Sequence, residues 1–391
     1  MPARSPHVDG MFWGVIVVLA IVLALPENRV GARVQTEQGG APAFQVDPSW
    51  PKRLPNNWVL GQLASVAVDS RDHVWILHRP KTVPDAEIKA GKTVAPPVVE
   101  FDPQGNVVQA WGGPGAGYSW MEESISDYPR GSPAEHGILV DYKDNVWVTG
   151  NGDVVLKFTR AGKFLMQIGE RFKTAGSNDT KLLGNPTDMA VDPATNEVFV
   201  SDGYLNRRVI VFDADTGTYK RHWGAYGKRP DDGPAVNYEP DKPLPQQFFI
   251  VHGLQLSKDG LVYVCDRQRD RVQVFRKDGT FVREAVVAKD TPAGAGVILK
   301  GPLSAGVTKA GVGSVFRVGF SADPQQEYLY VAGNSKIWIL RRRDLQVLGS
   351  FDVGGTHHMA GADSKGNLYT TGRRSPEKFQ FKGMPTTSSG R

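Results

Sequence analysis

Three histidines stand at one equivalent place in a repeated pattern: His136, His252 and His358 each fall five residues before a turn-entry position, Asp141, Ser257 and Asp363. They belong to alternate repeats. If the repeats close into a ring, three imidazoles converge on its axis and leave a fourth corner open, the donor set of a catalytic zinc site. Counting five back from every turn gives Ala64, His136, Thr187, His252, Phe316 and His358, so histidine takes every second place. A lone histidine is more often a hydrogen-bonded structural residue; three in register point to a metal. Three other residues gain meaning from location. Arg79 and Arg267 follow second strands of their repeats, and Tyr204 follows Phe199-Val200-Ser201-Asp202-Gly203. On a shared rim, a guanidinium can hold a carboxylate by two parallel hydrogen bonds, and a phenol beside a dication ionises more easily and can serve as a base.

The elements that must position these residues are short strands. From about Phe44 the chain repeats one unit six times: an apolar run, an Asp or Ser turn, a strand with an aromatic or β-branched centre, and a third strand. Second strands include Val74-Trp75-Ile76-Leu77, Val146-Trp147-Val148 and Leu261-Val262-Tyr263-Val264. The turn positions Asp69, Asp141, Asp192, Ser257, Ser321 and Asp363 lie between 42 and 72 residues apart. That spacing fits bare propeller blades with loops added, so the fold class is all-β, a six-bladed β-propeller. Phe44-Gln45-Val46 is expected to complete the last blade. A two-domain β-sandwich does not explain uniform blade anatomy. The long stretches Lys81 to Pro97, Gly113 to Pro133, Ala225 to Gln247 and Val286 to Gly311 are expected to wall a cleft.

Composition sets outer bounds. The chain has 391 residues, 40% hydrophobic and 22% charged, enough for a large core. Its net charge of +5 does not point to nucleic acid, because acids and bases are interspersed and only Arg341, Arg342 and Arg343 form a tight run. A single cysteine, Cys265, forbids an intrachain disulfide and reads as a small buried hydrophobe. Residues 1–32 read as a signal peptide or membrane anchor: Met11 to Leu25 is uncharged and apolar, and Val30-Gly31-Ala32 offers a cleavage site. The body is therefore expected to be exported, periplasmic or extracellular, with membrane attachment through residues 11–25 if the segment is kept. Residues 33–43 form a linker, 44–382 the propeller and 383–391 a flexible tail.

At these residues the chain resembles the peptidyl-α-hydroxyglycine α-amidating lyase family, zinc-dependent propellers of the wider NHL-repeat group. The matching segments are Leu60-Gly61-Gln62 through Val66-Ala67-Val68-Asp69 to His78-Arg79, and His136-Gly137-Ile138-Leu139-Val140-Asp141 with Val146-Trp147-Val148-Thr149. They continue with Pro186-Thr187-Asp188 through Ser201-Asp202-Gly203-Tyr204, His252-Gly253-Leu254 with Asp266-Arg267, and His358 before Gly366-Asn367-Leu368-Tyr369. The resemblance implies that His136, His252 and His358 ligate zinc, that Tyr204 is the catalytic base, and that Arg79 and Arg267 hold the substrate. It implies cleavage of the N–Cα bond of a peptide-like or α-hydroxy amide substrate, releasing an amide and glyoxylate. It also implies a structural calcium on the carbonyls of Val66 and Ile138, but Met359 stands where the family has an acidic ligand, and sulfur suits calcium poorly. His357 is a further departure, and Leu205 stands where the family has a disulfide cysteine.

Two other classes stay open. One is a non-catalytic exported NHL-repeat scaffold that needs no stoichiometric zinc. The other is a metal-dependent propeller hydrolase, which would use carboxylates and an Asn around its cation. The sequence carries no signal of oligomeric state.

Overall fold

The computed structural model describes residues 40–384 apart from 122–134, 151, 235, 237–238, 290, 292–312 and 357–359. Six four-stranded antiparallel sheets form a β-propeller. The innermost strands are Gln62–Val68, Glu135–Val140, Pro186–Asp192, Val251–Leu256, Arg317–Phe320 and Ala360–Ala362, and each neighbours the next around the ring, the last lying beside the first. The final blade takes its outermost strand from the other end of the sequence: Phe44–Val46 pairs antiparallel with Pro376–Phe381, Gln45 opposite Gln380. A short α-helix, Asp85–Lys89, occupies the first long excursion. No helix among the described residues is long and apolar enough to cross a membrane. The expected signal or anchor, residues 1–32, lies outside the described residues, as does most of the Gly113 to Pro133 and Val286 to Gly311 stretches.

The blades read as nearly continuous apolar runs because both faces of each sheet are covered. Successive side chains of a strand point to opposite faces. In the strand Val74–Arg79, Trp75 and Leu77 pack toward the second blade, against Ile138, Val146 and Val148, while Val74 and Ile76 pack with Tyr369 of the sixth. Among the described residues the buried apolar side chains divide in this way into six clusters, one at each blade interface. Cys265 is fully buried in one of them, and burial holds its thiol pKa well above the ordinary value.

The turn acids that mark each repeat have a mechanical reason. Asp141 Oδ1 accepts the backbone N–H groups of Lys143 and Asn145 at 2.8 and 2.9 Å, and its Oδ2 accepts Trp147 Nε1–H at 2.8 Å. Asp69 does the same with Arg71, His73 and Trp75. Asp363 follows with Lys365, Asn367 and the Tyr369 hydroxyl. One carboxylate thus closes the turn and seats the aromatic ring of the second strand. Replacing Asp141 with Ala leaves Trp147 Nε1 buried without its acceptor, and urea unfolding should show a loss of about 2–4 kcal/mol; an unchanged midpoint would contradict this role.

Candidate active site

The inner strands are irregular where the ring of equivalent positions lies. Glu135 pairs with Gly150 and Gly137 with Thr149, so the register skips His136. It skips His252 between Val251 and Gly253, Thr187 between Pro186 and Asp188, and Ala64 between Leu63 and Ser65. A bulge of this kind frees one residue from the ladder and re-aims its side chain. His136 and His252 meet as a result: their ring centroids are 4.8 Å apart at 69°.

Each imidazole is fixed by the chain of the next blade. His136 Nδ1 lies 2.7 Å from the Thr187 carbonyl, and His252 Nδ1 lies 2.8 Å from the Phe316 carbonyl. A carbonyl can only accept, so Nδ1 carries a proton, and in the neutral imidazole Nε2 then carries the lone pair. That is the tautomer a metal-ligating imidazole uses, with a backbone partner orienting it from behind. Burial, and then the charge of Arg79, push the His136 pKa well below the ordinary histidine value, which keeps the ring neutral. Both histidines are buried.

The glycine after each histidine belongs to the same device. A Cβ on Gly137 would lie 2.5 Å from the Thr187 carbonyl oxygen, and one on Gly253 2.5 Å from that of Phe316. These are the two oxygens that hold the imidazoles. Thr149 tightens the first pair, its Oγ1 donating to the Thr187 carbonyl at 3.0 Å and accepting the Gly137 N–H at 3.1 Å.

Tyr204 and Arg267 face the histidines. The Tyr204 hydroxyl is 3.3 Å from His136 Nε2 and accepts from Arg267 Nη1 at 3.3 Å. Its ring lies 5.8 Å from that of His252. Arg267 stacks over Phe316, Cζ 4.1 Å from the ring centroid. Arg79 donates from Nε to the Glu135 carbonyl at 3.0 Å, and burial lowers the pKa of both guanidinium groups, Tyr204 opposing the shift. His136, His252, Tyr204, Arg79 and Arg267 therefore share one electrostatic environment. His358 and its neighbours His357 and Met359 lie outside the described residues.

Three anchors set the rim. Asp202 accepts the Gly184 N–H at 2.6 Å and pairs with Arg208; Asp266 accepts the Phe249 and Ile250 N–H groups and pairs with Arg271. In the first blade His78 takes this place, accepting the Gly61 N–H at 3.2 Å and donating to the Pro96 carbonyl at 3.0 Å. Each anchor comes one or two residues before Tyr204, Arg267 or Arg79. Gly203 lets Tyr204 come in: a Cβ there would lie 2.0 Å from the Val251 carbonyl oxygen, beside His252.

One group among the described residues has metal-ligand composition: Asp69, His73 and Glu100, with donor atoms within 4.8 Å of one another. It sits at the turn end of the first blade, away from the histidine ring, and a cation is already there. Arg160 Nη1 is 2.8 Å from Asp69 Oδ2, its Nη2 pairs with Glu100, and its Cζ lies 4.9 Å over the Trp75 ring. The group reads as an ion network joining two blades.

One of the two expected calcium ligands, the Val66 carbonyl, meets a different partner. Arg317 Nη1 donates to the Val66 carbonyl at 2.9 Å, and Arg317 Nε lies 3.0 Å from Asp188 Oδ2. Sequence reasoning missed this pair, the carbonyls of Thr187 and Phe316, and His78. The signal for the carbonyls was present in the repeated His-Gly dipeptide.

Comparison with known proteins agrees with the architecture. The chain is 29% identical over 258 residues to peptidyl-glycine alpha-amidating monooxygenase A of Xenopus laevis, covering 62% of this chain and 24% of that protein. It is 26% identical over 232 residues to a probable peptidyl-alpha-hydroxyglycine alpha-amidating lyase of Caenorhabditis elegans, 55% of this chain and 56% of the relative. It is also 26% identical over 248 residues to NHL repeat-containing protein 3 of Mus musculus, 61% and 58% of the two chains. The matched region is thus under a quarter of the first relative and a little over half of the others. A streptogramin B lyase structure superposes with a TM-score of 0.50 at 11% identity, over 87% of this chain and 98% of the other, a likeness of fold alone. No protein-family model matches the chain.

Two outcomes test the site's scaffold. Gly253→Ala should displace the Phe316 carbonyl and loosen His252, costing about 1–3 kcal/mol in urea unfolding, with altered His252 imidazole resonances by NMR; unaltered resonances would show that the close approach does not matter. Burial pushes the His78 pKa from 6.5 down to about 4, so between these values the unfolded chain binds a proton that the folded one refuses. This contribution is complete above about pH 6.5 and is lost as pH falls toward 4, amounting to about 3 kcal/mol. His78→Gln should remove that part of the slope of stability against pH; identical slopes would contradict it.

Proposed function

We propose that this propeller homologue of the amidating lyases and NHL-repeat proteins is a zinc-dependent lyase. It would cleave the N–Cα bond of an α-hydroxyglycine-type substrate to give an amide and glyoxylate. The observation that carries the reading is the pair of bulged, alternate-blade histidines, both presenting Nε2 lone pairs, with a phenol 3.3 Å from one of them. His136 and His252 fit a zinc ion in donor type and in the backbone hydrogen bond at Nδ1, and burial keeps His136 neutral. The repeat assigns the third ligand to His358. Zinc held there would supply Lewis-acid polarisation of the substrate hydroxyl.

This chain's own residues do the rest. Arg267, flat against Phe316, and Arg79, anchored through Glu135, receive the substrate carboxylate and fix the reacting carbon. Tyr204, its phenolate supported by the Arg267 guanidinium, takes the hydroxyl proton. The O–H electron pair forms the new C=O bond, the C–N pair leaves on nitrogen, and the proton held by Tyr204 passes to nitrogen to make the amide, which restores the phenolate. The burial of His136, His252, Tyr204 and Arg267 keeps bulk water away from these charges.

Relatives named for NHL repeats support a second reading, a scaffold that binds at the same rim and catalyses nothing. Metal content separates the two. Purified protein should hold about one zinc per chain, and His252→Ala should lose both the zinc and glyoxylate release from a short α-hydroxyglycine peptide, a fall of at least about 10²-fold. Activity that survives this change with chelator present would refute the mechanism.

A further inference from the structure

The residues one place after the ring positions also alternate. They are Ser65, Gly137, Asp188, Gly253, Arg317 and Met359, so the first, third and fifth blades place polar side chains where the histidine blades place glycine or methionine. Asp188 and Arg317 are buried and paired across the channel, with side chains 0% and 3% exposed and Arg317 Nε 3.0 Å from Asp188 Oδ2. Arg317 Nη1 reaches the Val66 carbonyl of the first blade at 2.9 Å, and Asp188 Oδ2 also accepts the Leu254 N–H of the fourth at 3.2 Å. One salt bridge therefore ties four blades through their innermost strands.

This arrangement does not fit the calcium that the lyase resemblance implies. A calcium ion bonded to the Val66 oxygen at its usual ~2.4 Å would sit no more than about 5 Å from Arg317 Nη1, which is itself 2.9 Å from that oxygen, so two like charges would share one carbonyl beside a buried guanidinium. The Asp188 charge is already opposed by the guanidinium beside its Oδ2, a contact of charges rather than a hydrogen bond at Nε, while its Oδ1 has no hydrogen bond among the described residues; the residue after the third histidine offers sulfur rather than oxygen. We propose that Arg317 is a built-in cation: seated on the Val66 carbonyl and the Asp188 carboxylate, it takes the structural place of a divalent ion, and the propeller closes without calcium. The side chains of the lock, Asp188 and Arg317, lie in blades that do not supply histidine, so it stands whether or not the centre holds zinc.

The test uses the full chain, with zinc content measured separately. Equilibrium dialysis against radioactive calcium should leave the wild-type protein without bound calcium, and added calcium should not move its Tm. Arg317→Met, which strands the buried Asp188 carboxylate, should lower Tm by roughly 5–10 °C. Combining it with Asp188→Asn should recover much of the loss, because no unmatched charge remains. Retention of one calcium by the wild type with a rise in Tm would overturn the proposal. So would an Arg317→Met protein as stable as the wild type. If Arg317→Met does not fold, the calcium measurement on the unaltered chain still decides.

Discussion

The hydrogen bond from a histidine Nδ1 to the backbone carbonyl of the next blade is the constraint on which the site depends. A regular strand would direct a side chain at this position to a blade face, where six apolar clusters already fill the space. The bulges at His136 and His252 release each residue from its ladder, and the carbonyls of Thr187 and Phe316 give the released imidazole a single orientation. Glycine must follow, because any Cβ would press on the carbonyl that does the holding. Tautomer, direction and spacing thus come from one local feature repeated in alternate blades.

The same alternation divides labour around the axis. Blades two and four supply the described imidazoles, while blades one, three and five carry Ser65, Asp188 and Arg317, a layer in which a buried ion pair links inner strands. Above both lies the rim, where Asp202, Asp266 and His78 pin the ends of second strands to the backbone leading into the first. The residues proposed to handle substrate, Tyr204, Arg267 and Arg79, follow these anchors directly. Chemistry and closure use neighbouring register positions on alternate inner strands without sharing side chains.

Much of this was legible in the chain because propeller repeats write the same instructions several times. The Asp turns and the aromatic centre of the second strand recur since one carboxylate serves both, as Asp141 does for Lys143, Asn145 and Trp147. The ring position could be counted from those turns, which is why His136 and His252 could be named as neighbours. Backbone acceptors leave a trace only in the residue they crowd: Thr187 and Phe316 act through their carbonyls, so their own side chains say nothing of the role, and the one signal is the glycine after each histidine. His78 hid because an imidazole does in the first blade what a carboxylate does in the third and fourth. Arg317 and Asp188 hid because they lie far apart in sequence and are joined only when the ring closes. The Asp69, His73 and Glu100 group shows the reverse case, a metal-like donor set whose cation is Arg160.

Anomalous diffraction at the zinc absorption edge, from crystals of the purified protein, tests the central claim most directly. The account predicts one strong peak on the propeller axis, bonded to the Nε2 atoms of His136 and His252 and to His358. A map with no peak there, or with its peak among Asp69, His73 and Glu100, would contradict it.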